Sequence, residues 1–212
     1  VQILFKGLLT AGTELFDIIL VIALMIAMLK SLQEIKADVL MVAPALKLMS
    51  SPNIAFWALG GAMYLAAIFF WPTPATALVG TILLPVAVKS GMPAIYAAMS
   101  VNILGHGMAL SGDPVIQGAP GISERTIGLA EGSVLPYGVI LSLITGAVAS
   151  LIAFWLMKRE MKAQGIVGSA AIETRAETDA DTISASHNPK AKFMAVLVPI
   201  ILVVTIIAMI TL

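Results

Sequence analysis

The sequence has 212 residues, of which 59% are hydrophobic and 11% charged, and its 12 Lys and Arg balance its 12 Asp and Glu. Soluble domains carry about 25% charged residues, so this composition excludes a soluble globular domain and predicts an integral membrane protein. Zero net charge argues against nucleic-acid binding, and the absence of cysteine excludes disulfides and thiolate metal sites.

Apolar segments of nearly membrane-spanning length recur along the chain. Crossing about 30 Å of hydrocarbon takes about 20 mostly apolar residues. The predicted spans are 13–29, 53–71, 73–88, 92–110, 134–157 and 191–212. We therefore predict an all-α membrane protein, a polytopic helical bundle. Residues 1–157 form a bundle of five membrane segments, 158–190 a polar cytoplasmic loop and 191–212 a further transmembrane helix. Because both ends are apolar, we expect a fragment of a longer protein.

Two acidic residues lie at the start of the first predicted span. Glu14 and Asp17 are three residues apart and share a helical face. They form a possible second cation site, or they only solvate the first turn of the helix, where acidic residues are favoured.

The distribution of Lys and Arg among the loops predicts the orientation. Lysines follow the first span and the third span, and a basic cluster follows the fifth span, whereas Arg125 is the basic residue of the opposite-side connections. The Lys-rich loops are therefore predicted to be cytoplasmic. Residues 73–110 either cross the membrane twice or form a re-entrant hairpin. Lys89 favours crossing, because an ammonium in the hydrocarbon centre costs about 3 kcal/mol.

The fourth span runs into a stretch rich in glycine and polar residues, which reads NILGHGMALSGDPVIQG. Such residues at membrane depth are tolerated where the backbone is buried or lines a wet cavity, and interrupted helices mark transporter binding sites. Asn102 and His106 share a helical face. They are candidates for ion or anion binding and for proton relay, with interhelical hydrogen bonding as the alternative.

Asp113 follows Ser111 and Gly112 and precedes a proline. Its carboxylate is a candidate ligand for Na⁺ or a proton near the membrane midplane, beside exposed backbone carbonyls. The alternative is an ordinary helix N-cap with proline at the first helical position. Gln117 follows the break. The predicted substrate or ion site comprises Asn102, His106, Ser111, Gly112, Asp113 and Gln117.

These segments resemble a known family. The run TELFDIILVIALMIAMLKSLQEIKADVLMV, the Trp71-Pro72 exit and the run NILGHGMALSGDPVIQGAPGIS are similar to an uncharacterised bacterial transporter family of the ion transporter superfamily, which includes dicarboxylate, citrate and gluconate carriers and Na⁺/H⁺ antiporters. The resemblance covers most of residues 10–123. It implies two inverted repeats around a midplane site, with this chain supplying one repeat and the start of the next, and a homodimer. The Ser-Asn-Thr signature of the sodium-dicarboxylate branch is absent.

The leading functional hypothesis is a secondary active transporter that moves a small organic anion across the cytoplasmic (inner) membrane, coupled to Na⁺ or H⁺. The alternatives are a Na⁺/H⁺-type cation antiporter and a non-transporting membrane subunit. The sequence contains no nucleophile–base pair, phosphate loop or metal cluster, so we expect no enzyme activity, no metal and no cofactor beyond the coupling ion. The expected partners are a small-molecule anion or cation and the lipid bilayer, with no nucleic acid.

Overall fold

The computed structural model describes residues 2–115, 117–164 and 188–211. These residues contain helices and no strand, which confirms the predicted all-helical fold. A π-helical segment, Asn102–Ala109, follows α6 directly. The α-helices are α1 Gln2–Glu14, α2 Phe16–Glu34, α3 Ala37–Leu48, α4 Pro52–Phe70, α5 Pro72–Lys89, α6 Ala94–Val101, α7 Gly118–Ile127, α8 Leu135–Gln164 and α9 Pro189–Thr211.

Within the described part of the chain, two helices are long and apolar enough to cross a membrane, namely α4 and the Leu135–Ala163 stretch of α8. Two further pairs of consecutive helical segments are long and apolar enough to cross a membrane when each pair is taken together, although each pair is bent. Gln2–Glu14 and Ile19–Glu34 meet at 52°, and Pro72–Gly80 and Ile82–Lys89 meet at 51°. Counting each bent pair as one span gives up to four candidate spans.

Two helices continue beyond their predicted ends. Helix α2 runs to Glu34, through residues expected to form a polar loop, because Lys, Gln, Glu and Leu favour helix and Leu32 is buried against the core. Helix α8 ends at Gln164, inside the segment 158–190 predicted as a loop. Met157 and Met161 keep this end of α8 packed against the bundle.

Helix α4 lies at the centre of the bundle. It packs against α3, α5, α6 and the π-helical segment. Its inner face repeats at helical spacing, with Phe56, Leu59, Met63 and Phe70 almost fully buried. In contrast, much of α8 is apolar and exposed, as expected of a helix that faces lipid or further helices.

Helices α5 and α6 form a hairpin that carries the π-helical segment. The turn between them contains Ser90 and Gly91, and Gly91 has a φ of 96°. Lys89 ends α5 and is exposed. The hairpin therefore places Asn102 and His106 between α4 and α8.

Candidate functional site

The π-helical segment is the local feature that builds the site. Residues 102–109 contain two glycines, Gly105 and Gly107, which lower the cost of leaving α-helical geometry. The helical chain ends at Ser111, and the Gly112–Pro114 break follows. π-helical insertions in proteins are rare and frequently occur at functional sites.

One face of this segment is fixed against α4. Ser100, just before it, donates a hydrogen bond of 2.7 Å to the carbonyl of Phe56. The helices touch at two glycines. A Cβ on Gly60 would lie 2.5 Å from Ser100 Oγ, and a Cβ on Gly105 would lie 2.7 Å from Met63 Cγ. This contact turns the other face of the segment towards α8.

A groove of about 540 Å³ lies between the π-helical segment and α8. Its volume falls within the range of roughly 300–1,000 Å³ that is typical of small-molecule sites. The lining residues are Asn102, Ile103, His106, Gly107, Met108, Ser111, Ser142, Thr145, Gly146 and Ala149. The structure therefore brings together three of the predicted site residues, Asn102, His106 and Ser111.

The polar groups of the groove are an amide, an imidazole and three hydroxyls. The hydroxyls of Ser111, Ser142 and Thr145 donate to backbone carbonyls of their own helices, at 2.6, 3.0 and 2.8 Å. Their oxygen lone pairs are therefore available as acceptors. His106 Nδ1 is buried and has no hydrogen-bond partner among the described residues. In folded proteins a buried ring nitrogen of this kind nearly always has a hydrogen-bond partner, often an ordered water.

The break after the π-helical segment packs onto α8. A Cβ at Gly112 would overlap the Ser142 side chain and would lie 3.3 Å from Val139 Cα. Asp113 is 3% exposed, and its Oδ1 accepts a hydrogen bond of 2.9 Å from the Val115 N–H. Helix α7 begins later, at Gly118, so Asp113 closes a turn and is not the N-cap of α7. Gly112 and Asp113 are not among the residues that line the groove.

The remaining predicted site residues lie apart from the groove. Gln117 precedes α7 with a φ of 53°, and its carbonyl accepts from Gly121. Glu14 is exposed at the end of α1. The Asp17 side chain lies outside the described part of the structure, so the proposed Glu14–Asp17 pair stays a prediction.

Two groove residues on α8 were not predicted from the sequence. Ser142 and Thr145, with Gly146 and Ala149, occur at spacings of three, four and seven residues and thus share one helical face. This stripe of small and polar residues in an apolar helix is the signal that could have identified the second wall. A Cβ on Gly146 would lie 2.7 Å from Met108 Sδ, so glycine is needed for this close approach.

Glu124 is a second feature that the sequence did not indicate. The sequence favours a short surface helix here, yet Glu124 is 1% exposed in α7. Its carboxylate accepts hydrogen bonds of 2.8 Å from the Gly132 N–H and 2.7 Å from the Val134 N–H. Glu124 thereby fixes the loop that leads into α8, the helix that supplies one wall of the groove.

No protein-family profile and no solved structure matches this chain. The chain is similar to the uncharacterised membrane protein YhfA of Bacillus subtilis (strain 168), with 38% identity over 164 residues. The match covers 77% of this chain and 35% of the relative, so the chain spans about a third of the relative's length. Together with the apolar helices, this similarity identifies the chain as a helical membrane protein.

Proposed function

We propose that this chain forms part of a secondary active transporter that carries a small organic anion across the cytoplasmic membrane, driven by Na⁺ or H⁺. The groove between the π-helical segment and α8 is the single observation that carries this proposal. A backbone segment that is not α-helical lines this groove, which has a volume of about 540 Å³ and lies within a membrane protein. Segments of π-helix occur frequently at functional sites, and this one ends just before a helix break of the type at which transporters bind substrates and ions.

Hydrogen-bond donors in the groove suit an anion whose charge is balanced by the coupling ion. Asn102 offers an amide N–H₂ group, and His106 offers a ring nitrogen. In this proposal the two residues hold the substrate oxygens, and the α8 hydroxyls set the width of the groove. We further propose an inverted-repeat architecture and a homodimer, on the strength of the family resemblance of residues 10–123. No enzymatic step or cofactor enters this account.

A second candidate function is cation/proton antiport. The observation that favours it is the orientation of the groove hydroxyls, because Ser111, Ser142 and Thr145 all give their protons to the backbone. Their remaining lone pairs, with the Asn102 carbonyl oxygen, form the hard oxygen set that alkali and alkaline-earth cations prefer. A non-transporting subunit is the third alternative, in which the groove binds neither anion nor cation.

Thermal stability of the purified full-length protein separates these functions. Mono-, di- and tricarboxylates are screened with and without Na⁺ across pH 5.5 to 8.5. A ligand at about 100 times its Kd stabilises the folded state by about 2.7 kcal/mol. A shift caused by a carboxylate supports the anion carrier, and a shift caused by Na⁺ or pH alone supports the antiporter. A flat response to every condition contradicts both.

Two matched pairs of variants locate the ligand. Ser111→Ala and Ser123→Ala each remove a hydroxyl that bonds the carbonyl four residues earlier, and so do Thr145→Val and Thr126→Val. Only the first member of each pair lines the groove. We expect Ser111→Ala and Thr145→Val to weaken a shift caused by Na⁺, because each removes an oxygen ligand from the groove, and their partners in α7 to leave that shift unchanged. Equal effects within each pair would place the ligand elsewhere.

A further inference from the structure

We propose that the C-terminal end of α8 binds the phosphate headgroup of an anionic phospholipid through Lys158, Arg159 and Lys162. This proposal is independent of the transport function and concerns a different part of α8 from the groove. It rests on the spacing of the three cations, their contacts with aromatic rings, and the depth at which the helix places them.

The three cations share one face of the helix with Trp155. Counted from Trp155, they follow at three, four and seven residues, which places all four side chains in a single stripe. All four are exposed, and Trp155 is 57% exposed. The stripe therefore presents three positive charges to the surroundings of α8 beside an indole ring.

Aromatic rings hold two of these cations near the apolar part of the helix. The Arg159 guanidinium carbon lies 5.6 Å from the centre of the Trp155 ring, and Lys158 Nζ lies 5.6 Å from the centre of the Phe154 ring. Cation–π contacts at these distances are attractive. They keep the charges close to the level of the rings, where Trp side chains mark the boundary between hydrocarbon and headgroups.

The acidic residue within this cluster points elsewhere. Glu160 is the only acidic residue between Trp155 and Gln164. Its Oε2 accepts a hydrogen bond of 2.6 Å from the Tyr96 hydroxyl on α6, and its neighbour Met157 is fully buried. The carboxylate is thus held towards α6, whereas Trp155 and Arg159 are exposed. A negative headgroup meets net positive charge on the outer face.

Depth favours a lipid headgroup over a soluble phosphate. Helix α8 has 30 residues and is about 45 Å long, whereas the hydrocarbon layer is about 30 Å thick. A span of about 20 residues that begins at Leu135 ends near Trp155. Leu151 and Ile152, one turn earlier, are 58% and 53% exposed. These apolar side chains can contact the acyl chains of a lipid whose phosphate lies at Arg159.

Native mass spectrometry of the delipidated full-length protein tests this proposal. The protein is titrated with phosphatidylglycerol or phosphatidylcholine of identical acyl chains. We expect preferential retention of phosphatidylglycerol, and a loss of about 100-fold in its binding when Lys158, Arg159 and Lys162 are all changed to Gln. The control is Lys190→Gln with Lys192→Gln, which removes two exposed charges from α9. This control should keep the preference.

Three results would overturn the proposal: equal retention of both lipids, an unchanged preference in the triple variant, or displacement of phosphatidylglycerol by 10 mM inorganic phosphate. The variant Lys158→Arg with Lys162→Arg keeps the three positive charges and should therefore bind phosphatidylglycerol like the unmodified protein. This result would show that the triple Gln variant loses binding through its charges and not through misfolding. In vesicles, the part of the tryptophan fluorescence that is lost in Trp155→Phe should be quenched by brominated phosphatidylglycerol more than by brominated phosphatidylcholine.

Discussion

Glu124 binds two backbone N–H groups while almost fully buried, so its charge is satisfied by the loop before α8. Hydrogen bonds to a charged group contribute about 1.5–3 kcal/mol each. We expect Glu124→Gln to lower the free energy of unfolding by about 1–3 kcal/mol, because one carboxylate oxygen becomes a donor that faces a backbone N–H.

The matched control is Glu131→Gln in the same loop, where the side chain is exposed. Surface substitutions of this kind usually change stability by less than about 0.5 kcal/mol. Thermal unfolding in detergent measures both variants. Equal midpoints for Glu124→Gln and Glu131→Gln would contradict the role assigned to Glu124.

Asp38 supplies a test based on pH. Burial raises the pKa of its carboxyl above the usual 3.8, partly opposed by hydrogen bonds from the backbone N–H groups of Val39 and Asp38 and by the charge of Lys36. Between the unfolded pKa and the higher folded pKa, the folded protein binds more protons. Its stability therefore falls as the pH rises through this window.

The variant Asp38→Asn cannot ionise and should lose this dependence. We expect it to be more stable than the unmodified protein at pH 8, with a smaller difference at pH 4.5. Thermal midpoints at several pH values provide the measurement. If the thermal midpoints of the two proteins change with pH in parallel, Asp38 does not titrate as described.

At the level of single residues, the sequence pointed to Asn102 and His106 as site candidates. It did not point to Glu124 or Ser142. Asn102 and His106 stand out because amide and imidazole groups are rare in lipid-spanning helices. Glu124 does not stand out, because its hydrogen bonds reach Gly132 and Val134 through a loop whose path the sequence does not specify. Ser142 likewise does not stand out in the sequence, because its role depends on the packing of α8 against the Gly112–Pro114 break.

At the level of elements, the close contact between α4 and the π-helical segment makes glycine necessary at one position. A Cβ at residue 105 would lie 2.7 Å from Met63 Cγ, and Met63 is fully buried. We expect Gly105→Ala to destabilise the protein by about 1–3 kcal/mol through overpacking. The measurement is thermal unfolding in detergent.

Gly107 provides the control within the same segment. Its added Cβ would meet the Asn102 carbonyl oxygen at 3.7 Å, an ordinary contact. Gly107→Ala should therefore change the free energy of unfolding by less than about 0.5 kcal/mol. If both substitutions destabilise equally, the α4 contact is not what requires glycine.

Apolar runs of nearly membrane-spanning length predicted the positions of most helices but not their detailed geometry. Lys89 marks the end of α5, as the polar Lys-Ser-Gly sequence suggests. The π-helical geometry of residues 102–109 is different, since Gly105 and Gly107 permit several backbone forms and packing against α4 and α8 selects one. The extension of α2 to Glu34 likewise depends on Leu32 finding a place in the core.

At the scale of the whole molecule, the loop charges predict that Arg125 and Lys162 lie on opposite sides of the membrane. The sequence contains no cysteine, which provides a clean background for single-cysteine labelling of this part of the protein. A membrane-impermeant thiol reagent added to intact cells should label Arg125→Cys, and should label Lys162→Cys only after the membrane is opened. Labelling of both in intact cells would refute the predicted orientation.

Counterflow in proteoliposomes tests the transport function most directly, because it needs no imposed ion gradient. Vesicles with the full-length protein are loaded with an unlabelled carboxylate that stabilises it, and are diluted into trace labelled compound. We predict transient accumulation of the label, strongly reduced in Asn102→Ala, which removes an amide that holds the substrate, and retained in Asn53→Ala, which removes an exposed amide of α4 outside the groove. Absence of exchange for every stabilising carboxylate would contradict the proposal that this groove carries an organic anion.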